Sequence, residues 1–169
     1  MGSQASPQRD AAAVLVALRR VVRMLRLADR EAESAHGLSA AQLFVLHTLA
    51  DAPGSSLAEL ASRTLTDQSS VSTVVARLVA QKLVVRKVAA SDRRRAELRL
   101  SPTGERVLRD APPVPQARIA QVVRAMPVGK RRQLVSSLDG LVTAIGAQHI
   151  EPRMLFEDES PRSRSRGRR

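Results

Sequence analysis

From Ala11 onward, apolar residues return at alternating steps of four and three, at Val14, Leu18, Val21, Leu25, Ala28 and Ala32, while Arg19, Arg23, Arg26 and Arg30 line another face. That period predicts a long amphipathic helix ending near His36-Gly37. Its heptad spacing and length suit pairing with a second long helix, and packing on its own domain accounts for the stripe equally well. Met1 to Asp10 has no apolar period and reads as a loose arm.

Three shorter helices follow. Ser39 with Gln42 spells a capping box, in which the serine oxygen accepts from an orphan amide and the glutamine reaches back, and it opens a helix over 40–51. Pro53-Gly54 closes that helix. Ser56 with Glu59 repeats the device for a helix to Arg63 or Thr64, and Thr66-Asp67 offers the next N-cap. The fourth helix carries Val71, Val74, Val75, Leu78 and Val79 at helical spacing and leaves Ser69, Ser72, Thr73, Ala76 and Arg77 on the opposite face.

Beyond Leu83 the residues become strand-like: Val84, Val85 and Val88, then Leu98 and Leu100 alternating with Glu97 and Arg99, around a polar tip at Ser91 to Arg95. A hairpin directly after a helix-turn-helix is a wing. Pro102 suits the first turn of a further helix to Asp110. Pro112, Pro113 and Pro115 then remove amide donors and must break or kink the chain. Helices are predicted from Gln116 to Ala125 and from Met126-Pro127-Val128 to about Gln148, the last striped by Leu134, Leu138, Leu141, Val142 and Ile145. The fold class expected is mainly α with a small β-hairpin wing: a winged helix-turn-helix with N- and C-terminal dimerisation helices. The domain boundaries expected are an arm over 1–10, one domain over 11–150 with its winged core at about 38–101, and a disordered basic tail over 151–169, whose Ser-Arg alternation cannot bury a core.

Composition narrows the partner. The 169 residues hold 28 Lys and Arg against 16 Asp and Glu, a formal charge of +12 that points to a polyanion. Setting aside the five arginines of 160–169 still leaves 23 bases to 16 acids. No run approaches the roughly 20 apolar residues of a membrane span, and the N-terminus lacks a secretion signal, so a cytoplasmic chain without a membrane partner is expected. Cysteine is absent, which excludes disulfides, thiol sensing and the common zinc fingers, and three scattered histidines make no metal cluster; neither metal nor cofactor is expected. Phe44 and Phe156 are the sole aromatics, too few for the stacking platforms of single-strand and RNA binders. Duplex reading by a helix needs none.

The fourth helix suits that reading. Ser69, Ser70, Ser72, Thr73 and Ala76 are small enough to bring its backbone close to base edges, where Lys, Glu and Gln are the usual choices on a merely solvated face. Gln68 at the helix start can bond adenine or phosphate, and Arg77 can reach phosphate or guanine. Arg93, Arg94 and Arg95 crowd like charges at the hairpin tip, which favours a narrow minor groove. An enzyme would need a nucleophile with its base, a phosphate loop or a metal set; no such arrangement is visible in the chain.

The stretch LAELASRTLTDQSSVSTVVARLVAQKLVVRKVAASDRRRAELRLSPTGE, from Leu57 to Glu105, resembles the MarR family of regulators. The marks are the junction at Lys82 to Arg86, the wing "DRR" at Asp92 to Arg94 and the exit "LSPTG" at Leu100 to Gly104. With the flanking helices the resemblance runs from about Ala11 to Gln148. It implies a homodimer held by the first and last helices, with recognition helices in successive major grooves of a near-palindromic operator in double-stranded DNA and wings in the minor groove. Ser69, Ser70, Ser72, Thr73 and Arg77 would then face DNA, joining Gln68 and Arg95 from the reading of the residues above, Arg93 and Arg94 match the wing arginines, and Asp92 would brace a wing arginine. It further implies small aromatic or carboxylated ligands bound between the dimer helices and the DNA lobe, where His36 and His47 are candidate pocket residues. Ser101 stands where the family usually has Thr, and the proline cluster interrupts a normally long helix. The expected function is a sequence-specific regulator of transcription, a repressor relieved by a small ligand; the alternative is an architectural, nucleoid-type DNA coater of little specificity.

Overall fold

A computed structural model describes residues 6–88, 96–112, 114–151 and 153–155. Its elements in order are α1 (Pro7–His36), α2 (Ala40–Asp51), α3 (Leu57–Thr64), α4 (Gln68–Ala80), β1 (Val84–Val88), β2 (Ala96–Leu100), α5 (Pro102–Asp110), α6 (Pro115–Ala125) and α7 (Val128–Ala144). This is the mainly helical winged helix-turn-helix the periodicities predict.

The local chemistry sets most of the boundaries. Both capping boxes form: Ser39 Oγ accepts from the Gln42 amide while Gln42 Oε1 accepts from the Ser39 amide, and Ser56 with Glu59 does the same for α3. Asp67 caps α4 and Ser101 caps α5. Two ends differ from expectation. The first helix begins at Pro7, not Ala11, because Ser6 takes an extended N-cap conformation and Pro7 at N1 gives up no needed donor. The last helix stops at Ala144, short of Gln148: Gly146 turns left-handed at φ 70, and its amide and that of Ala147 bond back to Thr143 and Val142.

The core lies inside the winged unit. Leu43, Leu46, Leu49, Leu60, Val71, Val74, Val75, Leu78, Val84 and Leu98 are fully buried, so α2 runs through the centre with α3, α4 and the hairpin against it. The hairpin pairs antiparallel in the register Val84↔Leu100 and Arg86↔Leu98. A third strand is only a bridge, in which Ser55 O accepts from the Leu98 amide at 2.9 Å and ties the wing to the α2–α3 loop.

Beyond this core the chain is open. In α1 only Leu25, Asp29 and Ala32 are buried, and α6 and α7 bury no residue. The proline cluster does break the helix: α5 ends at Asp110, and Val114, buried in the core, starts α6 with Pro115 at N1. The C-terminal segment corrects the tail expectation in part, because Met154 returns to the core at 5% exposure. Methionine, unbranched and polarizable, fills such irregular gaps. Residues 156–169, with Phe156 and the arginine tail, lie outside the described residues.

Candidate nucleic-acid interface

Four apolar anchors, Val71, Val74, Val75 and Leu78, plug α4 into the core and thereby aim its other side outward. Gln68, Ser69, Thr73 and Ala76 are exposed, and Ser72 and Arg77 are half-buried. Ser70 corrects the expectation of an outward residue: it is 4% exposed, because position 70 precedes Val74 by one turn and shares its inward face. Its place is in the cap, where its amide donates to Asp67 Oδ1 at 2.8 Å.

The start of α4 is electrostatically organised around Asp67. The Ser69 hydroxyl donates to its carboxylate, and the amide and hydroxyl of Ser70 add to that, holding the Asp67 pKa well below the usual carboxylate range. One turn on, Thr73 Oγ1 donates to the Ser69 carbonyl at 3.1 Å.

The base of the wing explains two of the motifs. Lys82 takes a left-handed conformation at φ 59, and the chain then presents Leu83 O to the Ser101 amide at 2.9 Å. The Ser101 hydroxyl donates to Lys82 O at 2.7 Å and accepts from the Gly104 amide at 3.0 Å, so one buried oxygen joins both feet of the hairpin and caps α5. A Cβ on Gly104 would sit 2.2 Å from Leu83 O, which is why that turn holds glycine. At the wing's flank Arg99 pairs with Glu97 at 2.9 Å. Asp92, Arg93, Arg94 and Arg95 at the tip lie outside the described residues.

The histidines are placed apart from a mostly apolar cavity beside the α3–α4 turn. His47 Nε2 lies 3.2 Å from Pro112 O and fastens α2 to the proline segment; His36 ends α1. A cavity of about 370 Å³ opens instead between Phe44, the α3–α4 turn at Leu65, α6 and the returning Met154, and neither histidine lines it. Its lining is mostly apolar, with Arg124 and Arg153 also contributing. Gln116 also lines it, and both polar atoms of its side chain are buried without a hydrogen-bond partner. Leu65 sits there at φ 56, a conformation that leucine seldom adopts. Among the described residues no cluster of His, Asp and Glu could hold a metal ion, and no helix is long and apolar enough to cross a membrane.

Sequence reasoning passed over three of these residues. Asp29 is buried in α1 and accepts from the Ala40 amide at 2.7 Å, so the long helix caps the entry of α2. Its signal was present: Leu25, Asp29 and Ala32 follow the same four-three step as the apolar stripe. Gln116 and Met154 carried no such pattern, since both depend on where a distant segment returns.

Residues 36–95 match the model of the MarR family. No curated protein matches the chain. Among solved structures, it is similar to the Bordetella bronchiseptica regulator BpsR, described for regulation of its DNA binding by 6-hydroxynicotinic acid, at 29% identity and a TM-score of 0.51 over 76% of this chain and 98% of that one. The transcriptional regulator BldR of Sulfolobus solfataricus is similar at 20% identity and a TM-score of 0.52, covering 82% and 99%. FabT of Streptococcus pneumoniae, solved in complex with DNA, is similar at 15% identity and 0.53, covering 83% and 98%. The latter two likenesses speak for the fold. Residues 36–95, most of the winged core of this chain, thus resemble the MarR family, and the winged-helix fold is the one its solved neighbours share.

Proposed function

We propose that this chain, with its MarR-type winged core, is a sequence-specific regulator of transcription that reads a near-palindromic operator in double-stranded DNA as a homodimer. The observation that carries the reading is α4. Its valine and leucine anchors hold it rigidly in the core while Gln68, Ser69, Thr73 and Ala76 stand outward, a face low enough to enter a major groove. Ser72 and Arg77 flank that face, Arg93, Arg94 and Arg95 are assigned to the minor groove beside it, and Asp92 to bracing them. The arginines of 160–169 add phosphate contacts without base information.

Dimerisation is assigned to α1 and α7. Leu18, Val21, Val22, Val135, Leu138 and Val142 are each at least 40% exposed, an apolar surface of the kind that marks protein–protein contacts. The domain reading follows: residues 38–101 form the DNA lobe, the flanking helices join two copies, and the tail is an electrostatic anchor.

We further infer that DNA binding is repressive and is relieved by a small aromatic or carboxylated ligand in the Gln116 cavity. An unpaired buried amide costs about 1–3 kcal/mol, and a ligand carrying both donor and acceptor would satisfy it. The regulation of BpsR by 6-hydroxynicotinic acid supports this chemistry. The cavity wall includes Leu65 of the turn between α3 and α4, so an occupant bears directly on the helix-turn-helix.

Selection of bound sequences from random duplexes with the purified protein tests the central reading. Enriched half-sites with centres about 34–36 Å apart are expected. A salt titration showing equal affinity for enriched and random DNA would replace the regulator with a nucleoid-type coater.

A further inference from the structure

Each serine or threonine hydroxyl has one proton to donate and two lone pairs to accept with. On a helix that reads base edges, where that proton goes decides which edge the side chain can match. In α4 both outward hydroxyls have already spent it. Ser69 Oγ donates to Asp67 Oδ1, and Thr73 Oγ1 donates to the Ser69 carbonyl at 3.1 Å. An ionised carboxylate and a carbonyl can only accept, so the direction of both bonds is fixed by chemistry. The bond to Asp67 is moreover charge-assisted, roughly twice as strong as a neutral one, and the depressed pKa keeps the carboxylate ionised well into the acid range.

We propose that Asp67 is a positioning residue that makes Ser69 a hydrogen-bond acceptor only, beside a Thr73 already committed to the helix backbone, so that this face of α4 selects exocyclic amino groups in the major groove. The inference rests on the DNA-reading role proposed above and deepens it. Adenine N6 and cytosine N4 are the amino donors there, whereas guanine and thymine present acceptors. Every base pair therefore shows one donor edge, and what is selected is its orientation: A or C on the strand beneath Ser69. Ser69 and Thr73 lie one turn apart, about 6 Å along the axis. Two such positions are thus expected within about two base-pair steps of about 3.4 Å. The same acid repels phosphate oxygens, which a hydroxyl free to donate would otherwise engage.

The experiment uses the full-length protein and the duplex enriched by selection. The position read by Ser69 is located first, as the one whose preference disappears in Ser69→Ala, a change that leaves the Asp67 cap in place. There the wild type is expected to favour A or C. Replacing that base by its analogue without the amino group should weaken wild-type binding by about 3- to 10-fold, the size of one hydrogen bond, and leave Ser69→Ala unaffected. Asp67→Ser keeps an N-cap oxygen for α4 but removes the charge that holds the Ser69 proton. It should bring G or T at that position to within about threefold of A or C, with retained helical circular dichroism and a cooperative melting transition only slightly below that of the wild type showing that the fold is kept. A wild-type preference for G or T, indifference to the missing amino group, or an unchanged preference in Asp67→Ser would each overturn the inference while the DNA-reading role stood. Absence of any enriched sequence would bring down that role, and the inference with it.

Discussion

α2 and α7 each carry seven Leu, Val and Ala residues, in twelve and seventeen positions, yet these meet opposite surroundings. Nine of the twelve residues of α2 are buried, while none of the seventeen in α7 is. α1 divides in the same way along its own length, exposed from Pro7 to Met24 and buried only at Leu25, Asp29 and Ala32. Hydrophobicity is therefore satisfied within the chain for the winged core and left unsatisfied along the arms. An apolar stripe that its own chain does not cover is what association with a second copy uses.

The sharpest test of that contrast begins with one core leucine. Leu43→Ala should cost about 2–5 kcal/mol, because a fully buried leucine leaves a cavity the packed helices cannot close; denaturant midpoints measure it, and a cost under about 1 kcal/mol would show a core looser than described. Gly104→Ala is expected next, at about 1–3 kcal/mol, since its methyl group would meet Leu83 O and prise the hairpin's feet apart. On the arms the expected effect is on mass instead. Leu18→Asp with Leu138→Asp should halve the sedimenting mass at micromolar concentration and leave the far-ultraviolet circular dichroism of the helices in place. A wild type that already sediments as a monomer would remove the arms' assigned role.

The smallest effect is expected from Asp67. Its carboxyl is held below the usual value in the folded chain, so it stabilises the fold above about pH 4, where an unfolded aspartate is already ionised, and that contribution fades as the pH falls toward its folded pKa. The stability difference between the wild type and Asp67→Asn should therefore be present at neutral pH and shrink in acid. A difference that grows on acidification would contradict the hydrogen bonding around the cap.

Much of the winged core was legible from the chain. Ser39, Ser56 and Asp67 mark helix starts because capping is decided within four residues, and the valines of α4 mark its inward face because a period of 3.6 is a local property. The outward set was read almost whole. Ser70 was the exception, since a small polar residue beside the helix start looks alike whether it faces water or completes a cap. The wing's position was equally legible, its junction and exit motifs being the two feet that Ser101 ties together.

What the sequence by itself determined, then, are features whose causes are local: where helices begin, where prolines end them, which face of each is apolar, and the excess of basic charge. Only the tertiary structure decided which apolar faces are covered, that Asp29 caps a helix eleven residues away, that Met154 closes a cavity against Phe44, and that Gln116 is left there without a partner. Those outcomes depend on which distant segments meet. A contact between residues far apart leaves no period in either one, so the chain specifies it only through the packing of the whole.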